Sequence, residues 1–269
     1  MREFLIRTSH KPRPLPPGRW VMTQRWNDLL FAHWPMAPAA LAHFVPDGLQ
    51  IDTFEGSAWL GVVPFWMDRI KFRGFPAIPG TSSFPELNLR TYVRDPKTGT
   101  PGVLFLSLDA ANLPAVLFAR ALYRLPYYWA EMHIQEQSER EFTYYSRRRF
   151  SRDEVMFVAR YRGLGPTRKM AECGPGSLEY FLTERYCLFT RGRNGEPMRA
   201  NIHHIPWPLE AAEADIERND LAAEMGITLP RRAPVLHYSR RLAVYVWQLE
   251  RLRPAHGAQR VPAATVPST

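Results

Sequence analysis

The stretch "ELNLRTYVRDPKTGTPGVLFLSLD", residues 86–109, decides the fold class. Two runs rich in strand-forming residues, 86–94 and 102–109, flank "DPKTG". Pro96 presets its own φ and Gly99 accepts a positive one, so the five residues form a turn and the whole stretch reads as a hairpin. Strand alternation puts Glu86, Asn88, Arg90 and Tyr92 on one face and Leu87, Leu89, Thr91 and Val93 on the other. On a half-exposed strand the polar row faces water. In a barrel that encloses a cavity the same row faces inward, and Arg90 becomes a two-pronged clamp for a carboxylate or phosphate.

The rest of the chain repeats this kind of signal. "QIDTFEGSAWLGVVPFWMDRI" reads as strand, turn at Glu55-Gly56 and a long strand. "YYWAEMHIQEQ" with "REFTYYSRRRF" suits another hairpin, followed by "EVMFVARY". "ERYCLFTRGRNGEPMRANIHHIPWPL" is a further hairpin turning at "GRNGE", and "VLHYSRRLAVYVWQLE" closes as strand. Helices are few. "LPAVLFARALYRL" has helical spacing, a cap candidate in Asn112 and a stop at Pro126, and "GSLEYFL" is a short helix capped by Ser177. "LEAAEADIERNDLAAEMG" fits a helix or a turn-rich connection. Many short strands with regular turns imply a mainly β (α+β) antiparallel barrel or sandwich. The expected layout is a flexible, Pro-rich basic tail over 1–19, a single domain over 20–253 and a disordered tail over 254–269.

Composition narrows the function classes. The chain has 269 residues, with 45% hydrophobic and 13% aromatic content, enough for a sizeable core. No apolar run is long enough to span a membrane, and the N-terminus lacks the pattern of a secretion signal, so a cytoplasmic location is expected. The net charge of +9 invites a nucleic-acid reading, but only Lys11, Lys71, Lys97 and Lys169 are lysines, the arginines are scattered, and no binding motif is present. "SRRRF" at 146–150 reads as a solvated charged face. Cys173 and Cys187 lack zinc spacing and are expected to be free. Neither nucleic-acid nor membrane partners are expected, and oligomeric state is left open.

At "HFVPDGLQIDTFEGSAWLGVVPF", "FPELNLRTYVRD", "FLSLDA", "ARALYRLPYYWAEM", "FLTERYCLFT" and "IHHIPWPL", the chain resembles the YqjF-like family of uncharacterised bacterial proteins (domain of unknown function 2071) over residues 20 to 250. The resemblance implies an acetoacetate decarboxylase-like fold, a curved antiparallel sheet closing into a barrel around a cavity. The decarboxylases that share that fold use a lysine for a Schiff base and a second cation that lowers its pKa. Their lysine segment is similar to "LPYYWAEM", with Tyr127 and Tyr128 standing where the lysines would be. A phenol forms no imine, so Schiff-base chemistry is disfavoured. They also carry a cavity glutamate, for which Glu86 is the nearest match.

The resulting candidate pocket is Glu86, Asn88, Arg90, Tyr127, Trp129, His203 and His204. Alternation on the strand after Pro126 sends Tyr127 and Trp129 to one side, and sends His203 and His204 to opposite sides of theirs, so at most one histidine lines the cavity. Glu184 and Arg185 also face oppositely, with an ion pair in the barrel wall expected for Arg185. Asp109 is expected to cap the helix that follows it. No lysine is expected to act as an imine former, because all four sit in contexts that favour water. No catalytic triad, phosphate loop, dinucleotide fingerprint, metal site or cofactor is indicated. The expected function is binding of a small organic acid or carbonyl compound. The alternatives are an acid–base enzyme using Glu, Tyr and His in the same cavity, and a structural or interaction protein with a filled barrel.

Overall fold

A computed structural model describes residues 8–76, 82–168 and 173–252. Its elements in order are β1 (Met22–Met36), α1 (Pro38–Ala42), β2 (Gln50–Ile51), β3 (Ala58–Phe72), β4 (Phe84–Asp95), β5 (Thr100–Ala110), α2 (Leu113–Leu122), β6 (Tyr127–Ser138), β7 (Glu141–Arg148), β8 (Met156–Gly163), α3 (Leu178–Thr183), β9 (Cys187–Arg191), β10 (Pro197–His203), β11 (Leu209–Asn219), α4 (Leu221–Glu224), β12 (Val235–Val246) and β13 (Glu250–Arg251). Strand pairing closes two rings. Nine strands form one, β4-β5-β6-β7-β8-β11-β12-β1-β3 and back to β4; seven form the other, β12-β1-β3-β4-β5-β9-β10 and back to β12. The rings share β12, β1, β3, β4 and β5.

Burial follows that sharing. Along β4 and the first half of β3 nearly every side chain is buried, because both faces look into a ring. β7 belongs to the nine-strand ring alone, and its residues alternate strictly between half-buried and buried. The nine-strand ring is filled by a cluster that includes Leu87, Leu89, Phe142, Tyr144, Phe157, Tyr161 and Tyr238. Among the charged groups in this cluster's surroundings is a buried pair: Arg148 Nε donates to Asp109 Oδ1 at 2.9 Å and Arg148 Nη2 donates to Ser107 Oγ at 2.7 Å. Burial pushes the Asp109 carboxyl up to about 6 against the pull of Arg148.

Several sequence expectations change here. Asp109 does not cap α2; the Asn112 side chain does, accepting from the Ala115 amide at 3.0 Å. "SRRRF" is not a uniform solvated face, since Arg148 points inward while Arg147 and Arg149 pair with Glu131 at 2.7 and 3.0 Å. "LEAAEADIERN" is a strand, not a helix or a connection. Its Ala212, Ala214 and Ile216 pack on the core while Glu213 faces Arg162 across the β8 edge at 2.6 Å, so tertiary pairing overrides the helical preference of Ala and Glu. Residues 8–19 do not run free: the Arg13 guanidinium donates to the Thr98 carbonyl, and the His10 ring donates to the His204 carbonyl at 2.8 Å. The tail expected over 254–269 lies outside the described residues, as does Lys169. No helix among the described residues is long and apolar enough to cross a membrane.

The buried Arg148–Asp109 pair gives a direct test of this packing. Arg148→Ala leaves a carboxylate in the core without its partner, and urea unfolding is expected to show a loss of about 3–5 kcal/mol.

Candidate functional site

The seven-strand ring, unlike the nine-strand one, is not filled. It encloses a cavity of about 890 Å³. Its wall is mostly apolar, with Leu29, Val63, Phe65, Phe105, Leu108 and Ile202 among its residues, joined by Phe118 of α2 and by Tyr123, which follows that helix. The polar row of β4 faces into it: Glu86, Asn88 and Arg90 all line the cavity. Leu87 and Leu89, the alternate residues, enter the filled core on the other side.

Tyr127 reaches the same cavity from β6. Pro126 ends the connection from α2, and its carbonyl accepts from the Leu108 amide at 3.0 Å. β6 then runs parallel to the last residues of β5, with Leu108 opposite Tyr127. This places the Tyr127 hydroxyl 2.7 Å from Glu86 Oε2, to which it donates. Asn88 also hydrogen-bonds the Glu86 carboxyl. Burial outweighs both bonds and pushes Glu86 up to about 7, so near neutral pH it holds its proton about half the time. Burial, then the Glu86 charge, raises Tyr127 well above the usual phenol range, so it stays a hydroxyl. Tyr128 faces the opposite way and stacks over the Arg148 guanidinium at 4.0 Å.

Arg90 lies deeper. Its Nη2 donates to the Tyr92 hydroxyl at 3.2 Å and to the Leu182 carbonyl at 3.4 Å, both neutral acceptors. Its Nε is buried with no hydrogen-bond partner, and the same holds for Asn88 Oδ1 and the Trp207 indole nitrogen, all on residues that line the cavity. Arg185 also lines the cavity, but there it ion-pairs with buried Asp52 at 2.6 Å.

Not every expected residue belongs to this site. Trp129 is not among the lining residues: β6 has left the cavity by that point, and the Trp129 indole donates to the Ala111 carbonyl at 3.3 Å beside Phe150. His203 is buried on the side away from the cavity, ringed by His10 and Tyr245. His204 does line the cavity, yet both its ring nitrogens lie at backbone carbonyls, of Ile205 at 2.7 Å and of Arg185 at 3.4 Å. Burial holds it down to about 4, so it is neutral at ordinary pH. Lys11 departs from the expectation of a solvated amine. It sits 4.9 Å over the Tyr186 ring near the Ile202 carbonyl, and burial lowers its amine to about 8. No lysine lines the cavity among the described residues. Trp207 and Arg185 were not proposed for the pocket from sequence; both lie where the chain is irregular, so no periodicity announces their facing.

Comparison with known proteins matches the fold. The fold is that of acetoacetate decarboxylase-like proteins. An acetoacetate decarboxylase-like enzyme from Sphingomonas wittichii RW1 superposes with a TM-score of 0.58 at 13% identity, over 90% of this chain and 97% of that one. The enduracididine biosynthesis enzyme MppR, solved with pyruvate, superposes with a TM-score of 0.58 at 12% identity, over 90% of this chain and 93% of that one. Within that class the chain belongs to the DUF2071 family of uncharacterized conserved proteins, whose profile matches residues 23–243. It is 42% identical over 245 residues to the uncharacterized protein YqjF of Bacillus subtilis (strain 168), covering 91% of this chain and 98% of that protein.

The raised Glu86 carboxyl ties stability to pH. Between the ordinary glutamate range, near pH 4.5, and about pH 7, the folded protein holds a proton that the unfolded chain has lost. Glu86 therefore contributes most fully below about pH 4.5, and its contribution is lost as pH rises through about 7. Glu86→Gln removes this dependence. Relative to the parent, the variant is expected to gain about 1–3 kcal/mol between pH 5 and pH 8 in urea unfolding; a constant difference across that range would place the Glu86 proton elsewhere.

Proposed function

We propose that the protein binds an organic acid or carbonyl compound in this cavity, without imine chemistry. The observation that carries the reading is the row Glu86, Asn88 and Arg90, with Tyr127, inside a mostly apolar enclosure of about 890 Å³. Arg90 supplies a positive charge for a carboxylate. The Glu86–Tyr127 pair supplies a donor and an acceptor for a carbonyl or hydroxyl group. The pyruvate complex of MppR supports the choice of ligand class by analogy of fold. Cytoplasmic residence fits two buried cysteines, neither of them in a disulfide among the described residues.

One observation favours an enzymatic second reading. A carboxyl poised near 7 and hydrogen-bonded at 2.7 Å to a phenol suits general acid–base work on a bound carbonyl. His204 is not a third member of such a set, because it is neutral and directed to the backbone.

A thermal-shift panel of 2-keto acids, 3-keto acids and aldehydes, followed by native mass spectrometry, tests the binding reading. Tyr127→Phe is expected to weaken the best ligand about tenfold through loss of one hydrogen bond to a charged or half-charged group. Borohydride reduction in the presence of that ligand is expected to leave every lysine unmodified on peptide mapping. Lys11 is the informative position, and a stoichiometric adduct there would overturn the exclusion of imine chemistry.

A further inference from the structure

Small keto acids occupy only a fraction of the enclosed volume. We propose that the natural ligand is an amphipathic monocarboxylate, a long or bulky apolar acid whose carboxylate pairs with Arg90 and whose body runs along β4 towards α2. This rests on the binding reading above and narrows its ligand class.

Among the buried arginines around the cavity, charge bookkeeping singles out Arg90. Arg185 has Asp52 as its ion-pair partner, shared with the half-exposed Arg94. Arg148, on the other side of the shared wall, is neutralised by Asp109. Arg90 is 8% exposed, and its guanidinium donates to a phenol and a peptide carbonyl, with no carboxylate partner among the described residues. Its Nε–H has no acceptor. A buried guanidinium with neutral partners and a spare donor keeps a net positive charge facing the cavity, and a carboxylate is the group that satisfies both. The nearby His33 responds to that charge: burial first, then Arg90, holds it well below the usual imidazole range. Glu86 does not serve as the counter-ion, because its carboxyl is engaged with Tyr127 and Asn88 and is about half protonated at pH 7.

The shape of the cavity sets the rest of the ligand. Phe84 and Arg90 line opposite ends of the β4 row, six strand residues apart, so the cavity runs about 20 Å along the strand. Beyond Phe84 the lining passes through Phe72, Phe75 and Phe118, and Phe75 and Phe118 are 66% and 40% exposed. Two more arginines line this end, Arg19 and Arg73, but both are exposed to solvent, and on β4 only Pro85 separates Phe84 from Glu86. A short acid bound at Arg90 leaves that length of apolar wall uncovered, whereas a long apolar body covers it and gains from each methylene buried.

Isothermal titration calorimetry at submicellar concentration compares dodecanoate, 1-dodecanol and acetoacetate on the intact protein. Dodecanoate is expected to bind with micromolar Kd, about 10- to 100-fold more tightly than 1-dodecanol, the difference being the charged contact. Arg90→Gln is expected to bring the acid to the level of the alcohol while leaving the alcohol unchanged, and Arg90→Lys to retain part of the preference. Where Arg90→Gln fails to fold, the acid–alcohol comparison on the parent still decides. Equal affinity for dodecanoate and 1-dodecanol overturns the role of Arg90. Binding of acetoacetate without dodecanoate overturns the ligand class and leaves the binding reading standing. Absence of binding by any acid or carbonyl compound in either panel removes both.

Discussion

A β-strand has two edges, and β5 is asked for three neighbours. One edge is taken by β4 along its whole length, from Glu86 opposite Ala110 to Asp95 opposite Thr100. The other is divided: Val103 and Leu104 pair with β9, and Leu108, Asp109 and Ala110 pair with β6. β12 is divided in the same way between β11 near Ser239 and β10 near Val246. Because no third set of backbone donors and acceptors exists, the strands sharing an edge must diverge. One pair of branches closes the nine-strand ring and the other the seven-strand ring. The cavity is the inside of the second, and its polar row stands on β4, the strand next to the fork.

Pro126 marks the fork in sequence. It cannot extend α2 and its carbonyl anchors the start of β6 on Leu108. The segment before it is tied to the other branch, where the Thr190 hydroxyl donates to the Arg124 carbonyl at 2.8 Å. Tyr127 is therefore delivered to the one place where β6 borders the cavity, and Glu86 is within its reach there. Two residues later β6 has turned away, which is why Trp129 shares a side with Tyr127 by alternation and yet packs outside.

The same division explains what the amino-acid sequence reveals and what it hides. β7 has one buried face, so "EFTYYSRR" shows the period of two that identifies a strand and its orientation. β1 is part of the shared wall, buried almost continuously from Leu29 to Trp34, so "LLFAHW" carries no period at all. β4 is shared as well, but one of its rings is hollow and accepts polar groups, so Glu86, Asn88 and Arg90 stand out between leucines and the row was legible. Arg148 was not: it looks like its neighbours Arg147 and Arg149, and only the partner Asp109, 39 positions away, distinguishes it. Lys11 and His10 sit in a stretch whose prolines suggest a free tail, and their contacts with Tyr186 and His204 are equally remote in sequence. Alternation reveals which side of a strand a residue takes, whereas counter-ions and docking partners are set by chain segments that local pattern does not connect.

Polarity along β4 is graded as well as confined. Phe84 at the outer end is apolar, Glu86 with Tyr127 and Asn88 forms a hydrogen-bonding station that is largely neutral below pH 7, and Arg90 at the inner end is cationic. An amine in place of the Tyr127 hydroxyl would change that order, because beside a carboxylate it would form an ion pair and draw the Glu86 proton away. With a phenol there, burial sets the Glu86 carboxyl, and the positive charge of Arg90 is left without a fixed partner. The unmatched charge of the cavity thus stands at Arg90, six residues along β4 from Phe84.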